Sequence, residues 1–139
     1  MYKREVSLLL FYNEKNEILM QDRRGHSKSG EEWGFFGGAI EEGETPEQAL
    51  IREIKEEMNL DLTDKFNQIG IIENTYFNKL QGHNANIKRY VFIAKYENEK
   101  YEIAEGRGAK WFSLEEAAET RLVPGDIEVI KLINQTKLS

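Results

Sequence analysis

Apolar positions recur along this chain in two rhythms, and the clearer one is helical. Ala49, Leu50, Ile54 and Met58 stand three or four residues apart. At about 100° per residue, Leu50, Ile54 and Met58 form one apolar stripe. Thr45 is a good N-cap, Pro46 suits the first turn, and Gln48 completes a T-x-x-Q capping box. Asn59 follows, a residue that tolerates the left-handed conformation that ends helices. The pattern predicts a helix from about Pro46 to Met58.

The second rhythm is that of strands. Residues 6–12 form a β-rich apolar run, and residues 17–23 a second strand, joined by a polar hairpin turn at 13–16. A polar loop, 23–34, leads to Phe35-Phe36-Gly37-Gly38. Strands are predicted at 68–76 and 87–96, with a polar loop at 78–86 between them. Residues 109–113 read as a short strand. Ser113-Leu114-Glu115-Glu116 is a second capping box, opening a short helix. Asp126 is placed to cap a last helix carrying Ile127, Ile130 and Ile133. Strands interleaved with helices predict an α/β class and leave the topology open. With 139 residues and no repeat or linker, one domain over 1–139 is expected.

Composition narrows the function classes. A hydrophobic fraction of 40% with two prolines suits a packed core rather than disorder. No apolar run reaches the length of a membrane span. The run after Met1-Tyr2-Lys3-Arg4 is too short for a signal peptide, so a cytoplasmic protein is expected. The absence of cysteine excludes disulfides and thiolate sites. A net charge of −6 counts against extended nucleic-acid binding. Much of that charge is local: between Glu41 and Glu57 seven acids face only Arg52 and Lys55. Such a region repels phosphate unless a cation intervenes, so a phosphate substrate here requires a metal.

Glu53, Glu56 and Glu57 concentrate this charge on one helix. At offsets of three and four they share a face and repel one another, an arrangement that a hard divalent cation stabilises. The competing reading is a solvated helix face with (i, i+4) pairs such as Arg52 with Glu56. The adjacent Gly37-Gly38 pair permits close backbone approach and offers carbonyl oxygens as ligands.

The stretch from Gly38 to Leu60 resembles the Nudix hydrolase signature, G-x5-E-x7-R-E-U-x-E-E-x-G-U, where U is a bulky apolar residue. Gly38, Glu44, Arg52, Glu53, Ile54, Glu56, Glu57 and Leu60 fall on its positions, and Asn59 stands where the family has Gly. The resemblance implies an α/β/α sandwich around a mixed sheet. It implies hydrolysis of a nucleoside diphosphate linked to another group, aided by Mg2+ or Mn2+. It assigns metal binding to Glu56 and Glu57 first, with Glu53 joining them and the Gly37 carbonyl as a partner. Glu53 is the first choice for general base, and Arg52 with Glu44 looks like an orienting pair. Glu105 resembles a further metal-binding glutamate of the family, with Glu102 as its competitor.

For the substrate, Arg23, with Arg24 and Lys28, is placed to contact phosphate. Phe35, among Trp33, Tyr76 and Phe77, is a candidate for stacking on a base. His26 and His83 fall in predicted loops and read as ordinary exposed residues. The short chain favours a small nucleoside triphosphate, oxidised nucleotides included, over ADP-ribose, nucleotide sugars or dinucleoside polyphosphates. A non-catalytic nucleotide sensor is the alternative of another class. Isopentenyl diphosphate isomerase is disfavoured by the lack of cysteine, and RNA-end processing by the lack of a basic groove. Oligomeric state is open, a homodimer being among the arrangements allowed.

Overall fold

In the computed structural model, which describes residues 2–27, 30–103 and 108–135, the opening apolar run lies in a long strand, β1 (Tyr2–Tyr12). There follow β2 (Ile18–Asp22), β3 (Trp33–Gly34), β4 (Phe36–Ala39) and helix α1 (Pro46–Met58). The chain continues through β5 (Asn67–Asn78), β6 (His83–Lys95), β7 (Ala109–Phe112), α2 (Leu114–Ala118) and α3 (Asp126–Gln135).

The sheet is mixed. β1 runs parallel to β6 along its whole length, from Tyr2 opposite Ala85 to Tyr12 opposite Lys95. β4 lies antiparallel beside the middle of β1, with Val6 opposite Ala39 and Leu9 opposite Phe36. β2 meets β1 at Tyr12 opposite Ile18, and itself carries β3 and β7. β5 closes the other side against β6. The short β4, with its two glycines, is thereby held against the centre of the sheet.

Both faces of the sheet are covered, which explains why β1 is apolar on both. Leu9 and Phe11 pack with Leu50, Ile54 and Met58 of α1. Leu10 and Val91 pack with Val129, Ile130 and Ile133 of α3 and Ala117 of α2. The layers are therefore helix, sheet, helix, the expected sandwich. Leu50, Ile54 and Met58 are fully buried, and burial of such a side chain stabilises by about 1.5–3 kcal/mol. That stripe fixes the rotation of α1 about its axis and hence where its glutamates point.

The capping of α1 is as the sequence predicts. Thr45 Oγ1 accepts from the Gln48 N–H and Gln48 Oε1 from the Thr45 N–H. Asn59 ends the helix at φ +50, its N–H bonded to the Lys55 carbonyl. Ser7, fully buried in β1, donates to the Pro46 carbonyl at 2.7 Å and ties the helix start to the sheet.

Three expectations are corrected. β3 and β4 were not foreseen, because two to four residues are too few to show alternation and glycine is poor in strands. The loop predicted at 78–86 is a turn at 79–82, and His83 opens a strand instead of lying in a loop. Polar residues continue that hairpin because the ladder pairs Tyr76 with Ala85 and Asn78 with His83, and Asn86 donates to Thr75 Oγ1. Asp126 is the first residue of α3, and its carboxylate turns inward to Arg89. Among the described residues no helix is long and apolar enough to cross a membrane.

Candidate active site

Arg52 organises the acids around it. Its Nε and Nη2 donate to the two carboxylate oxygens of Glu44 at 2.8 and 2.9 Å, a planar two-pronged contact. Nη1 donates to Glu53 Oε1 at 2.8 Å, and Nη2 also reaches the Ala39 carbonyl at 3.0 Å. One guanidinium thus joins the turn before α1, the end of β4 and the Glu53 carboxylate. The Arg52 hydrogen bonds, with the Glu41 N–H second, pull the Glu44 carboxyl down to about 2. Reciprocally, Glu44 and Glu53 hold the Arg52 guanidinium firmly charged.

The linkage sign follows from that direction. A carboxylate depressed in the folded state contributes stability above its ordinary range, and loses it as pH falls towards the folded value. In thermal melts, Glu44→Gln is expected to fall below wild type by a constant margin above about pH 5. The margin should close between about pH 4.5 and pH 2.

The Gly37-Gly38 pair positions the other acids. Gly37 sits at φ +133, and a Cβ there would collide with the Ser7 carbonyl oxygen, so only glycine lets β4 lie this close to β1. The Gly37 N–H donates to Glu57 Oε1 at 2.8 Å. At Gly38 a Cβ would stand 2.5 Å from the Glu53 carboxyl carbon. The missing side chain is the space that the Glu53 carboxylate occupies.

Above this pair opens a cleft of about 760 Å3, whose walls include Gly37, Gly38, Glu53 and Glu57 together with Arg4 and Arg23. Glu56 is not on its wall: its side chain is 60% exposed and lies 3.6 Å from Arg52 Nη1. Glu57, by contrast, is 9% exposed. Among the described residues no three acidic or histidine side chains converge on one point. Glu105 lies outside the described residues, as does Lys28. Glu102 donates its backbone N–H to the Met58 carbonyl.

The remaining sequence candidates divide between cleft and core. Arg23 lines the cleft, 3.5 Å from the buried Glu31, and donates to the His26 carbonyl. His26, His83 and Tyr76 also line it, whereas Phe77 is exposed elsewhere. Phe35 is buried in the core cluster below α3, and it borders a smaller recess of about 140 Å3 next to the cleft. Trp33 packs edge-on against Phe112, with the Arg24 guanidinium over its ring.

Sequence reasoning missed a buried polar group in that recess. Arg89, 1% exposed, donates to Asp126 Oδ1 at 2.7 Å, Asn74 Oδ1 at 2.9 Å and the Pro124 carbonyl at 2.8 Å. Burial pushes the Asp126 carboxyl up to about 6 against the opposing pull of Arg89. Arg89 and Asp126 stand 37 positions apart, so no local pattern signals the pair. A polar residue inside an apolar strand, Gln21 in β2, was the one available hint at the recess.

Comparison with known proteins supplies the family. The model of the NUDIX domain matches residues 1–133. The 8-oxo-dGTP diphosphatase of Escherichia coli (strain K12) is 40% identical over 60 residues, 43% of this chain and 46% of that protein. The chain thus spans about half the length of the curated relatives it matches. Among solved structures, the MutT protein from Methanosarcina mazei Go1 superposes with a TM-score of 0.77 at 19% identity, over 99% of this chain and 97% of that one. At that identity the likeness is one of fold. The E. coli dihydroneopterin triphosphate pyrophosphohydrolase gives a TM-score of 0.73 at 25% identity, covering 96% and 99% of the two chains. With every signature position but Asn59 in place from Gly38 to Leu60 and the domain matched almost throughout, this chain belongs to the Nudix family.

Proposed function

We propose that this chain is a pyrophosphohydrolase that cleaves a P–O–P linkage in a small nucleoside triphosphate, releasing a nucleoside monophosphate and pyrophosphate. The observation that carries this reading is the Gly37-Gly38 cradle, which brings the Glu53 and Glu57 carboxylates to the floor of one cleft. Relatives matched over about 60 residues are named as diphosphatases of 8-oxo-dGTP and of dihydroneopterin triphosphate, which supports a small triphosphate, and a further one is named as an RNA pyrophosphohydrolase.

The donor set suits Mg2+ or Mn2+, since every side chain in it offers oxygen and the Gly38 cradle leaves the Glu53 carboxylate uncovered by any Cβ. Glu57 and Glu53 would hold the ion, with the Gly37 carbonyl and Glu56 as further ligands. A bound divalent ion neutralises phosphate oxygens and favours the deprotonation of water. The rest of the work falls to the chain. Arg52 fixes Glu53 through Oε1, and so sets the direction of the second oxygen, to which we assign removal of the proton from the attacking water. Glu44 keeps Arg52 from swinging away. Arg23 and Arg4 on the cleft wall supply positive charge for the phosphates of the substrate.

A substrate panel with Mg2+ tests the reading. The highest kcat/KM is expected on nucleoside triphosphates, oxidised ones included, with monophosphate and pyrophosphate as products by chromatography. Faster turnover of ADP-ribose, nucleotide sugars or dinucleoside polyphosphates would replace the triphosphate assignment. Binding without turnover on every compound would favour the sensor reading.

A further inference from the structure

The two lateral edges of the sheet are unlike. β3 ends one side with 2 residues, whereas β5 ends the other with 12 and has no strand partner besides β6 among the described residues. A long open edge offers a row of backbone donors and acceptors to another strand, and proteins blunt such edges with proline, lysine or other charges. β5 has no proline and no basic residue, and Glu73 is its one charge. Its exposed positions alternate at 71, 73, 75 and 77, so they share one face. Two of them are large and apolar: Ile71 is 51% exposed and Phe77 57%. The regular part of the strand is bracketed by a bulge between Gln68 and Gly70 and by the turn that follows Asn78. Residues 70–78 therefore form an unbroken run against β6, with Asn74 at its midpoint. When two copies of this run pair antiparallel, the two-fold axis that uses all of it passes between the two Asn74 residues. Ile71 of one copy then stands opposite Phe77 of the other, and the contact is made twice. Glu73 stands opposite Thr75 of the second copy and keeps Lys88 opposite it on its own β6, so no like charges are opposed. Strand length, apolar positions and charge thus agree on one register.

We propose that β5 is a self-association edge, which pairs antiparallel with β5 of a second copy of this chain in the register that sets Ile71 against Phe77. The two sheets then continue into one across the axis. Backbone hydrogen bonds along residues 70–78 hold the pair together. Two Ile71–Phe77 contacts add to them, each an aromatic side chain beside a β-branched one. The inference is independent of the reaction assigned to the cleft and gives the edge no part in bond cleavage.

Sedimentation of the purified chain over a dilution series reads the oligomeric state. A reversible dimer is expected, with a Kd in the micromolar range, and a monomer up to about 100 μM overturns the proposal. Ile71→Lys and Phe77→Lys place a charge on the edge and should each raise that Kd at least about tenfold. Both side chains are exposed in the single chain, so melting in dilute solution should stay close to wild type. A dimer that persists in both variants belongs to another surface and overturns the proposal. The absence of cysteine lets the register be read directly. Residues opposed in an antiparallel pair have Cα atoms about 4.5–5.5 Å apart, within reach of a disulfide. Mild oxidation of the double variant Ile71→Cys/Phe77→Cys with diamide is therefore expected to give a covalent dimer. The two cysteines of one chain stand roughly 20 Å apart along their own strand and cannot bond to each other. Neither single variant should cross-link, since its cysteine then faces a native Phe77 or Ile71. Cross-linking of a single variant as readily as the double one overturns the register. So does a double variant that dimerises without cross-linking.

Discussion

Glu57→Gln is expected to fold like wild type and to lose at least about two orders of magnitude in turnover, the scale of a lost electrostatic contribution in a closed site. Glu57 is 9% exposed and takes the Gly37 N–H at 2.8 Å. An amide of the same shape can still accept that bond through its oxygen, so the cradle geometry survives. What disappears is a negative charge on the cleft floor, the quantity that would attract a divalent cation. Circular dichroism and melting establish the fold, and initial rates with Mg2+ read the loss. A rate close to wild type would remove Glu57 from the site. Glu56→Gln is expected to show a loss of the same size, although its side chain now lies 60% exposed beside Arg52. That loss requires the Glu56 carboxylate to leave Arg52 and join the cation. A wild-type rate in this variant would leave Glu56 as a surface partner of Arg52.

Gly38→Ala is the second large effect, and it separates geometry from charge. The added Cβ would stand 2.5 Å from Glu53 Cδ and 2.7 Å from both carboxylate oxygens. All three atoms belong to the end of a flexible side chain, so the collision is relieved by moving the carboxylate and leaves the fold intact. Displacing a reacting group by about 1 Å costs on the order of 100-fold in rate. The expected result is a soluble protein with near-normal melting and about 1% of wild-type turnover, with KM for the nucleotide little changed. Retained activity would mean that the position of Glu53 is not set by this cradle. Gly37 differs in kind: the Cβ there meets the backbone of β1, so substitution strikes the fold itself.

How far the sequence disclosed this site depends on the range of the interactions. α1 is legible because its stripe, its capping box and its left-handed Asn59 all act within a few residues. The pairing of Arg52 with Glu44 spans eight positions across one turn and was suggested by the signature. The helical wheel could not show which glutamates face the cleft. The structure buries Glu57, whose carboxylate takes the Gly37 N–H of β4, and leaves Glu56 outside the cleft. β4 itself left no trace in the periodicity, being four residues with two glycines. The recess is equally silent in sequence, since Gln21, Arg89 and Asp126 come from three separate elements. Asp126 illustrates the ambiguity: a residue suited to capping a helix was recruited instead to neutralise a buried arginine.

The central claim is that the carboxylates of this cleft work with a divalent cation to split a P–O–P bridge. It is tested most directly by following the products of a nucleoside triphosphate incubated with the purified chain, once with Mg2+ and once with excess EDTA. Monophosphate and pyrophosphate in equal amounts with Mg2+, and neither with EDTA, is the predicted result. Turnover undiminished by EDTA, or release of diphosphate and inorganic phosphate instead, would contradict it.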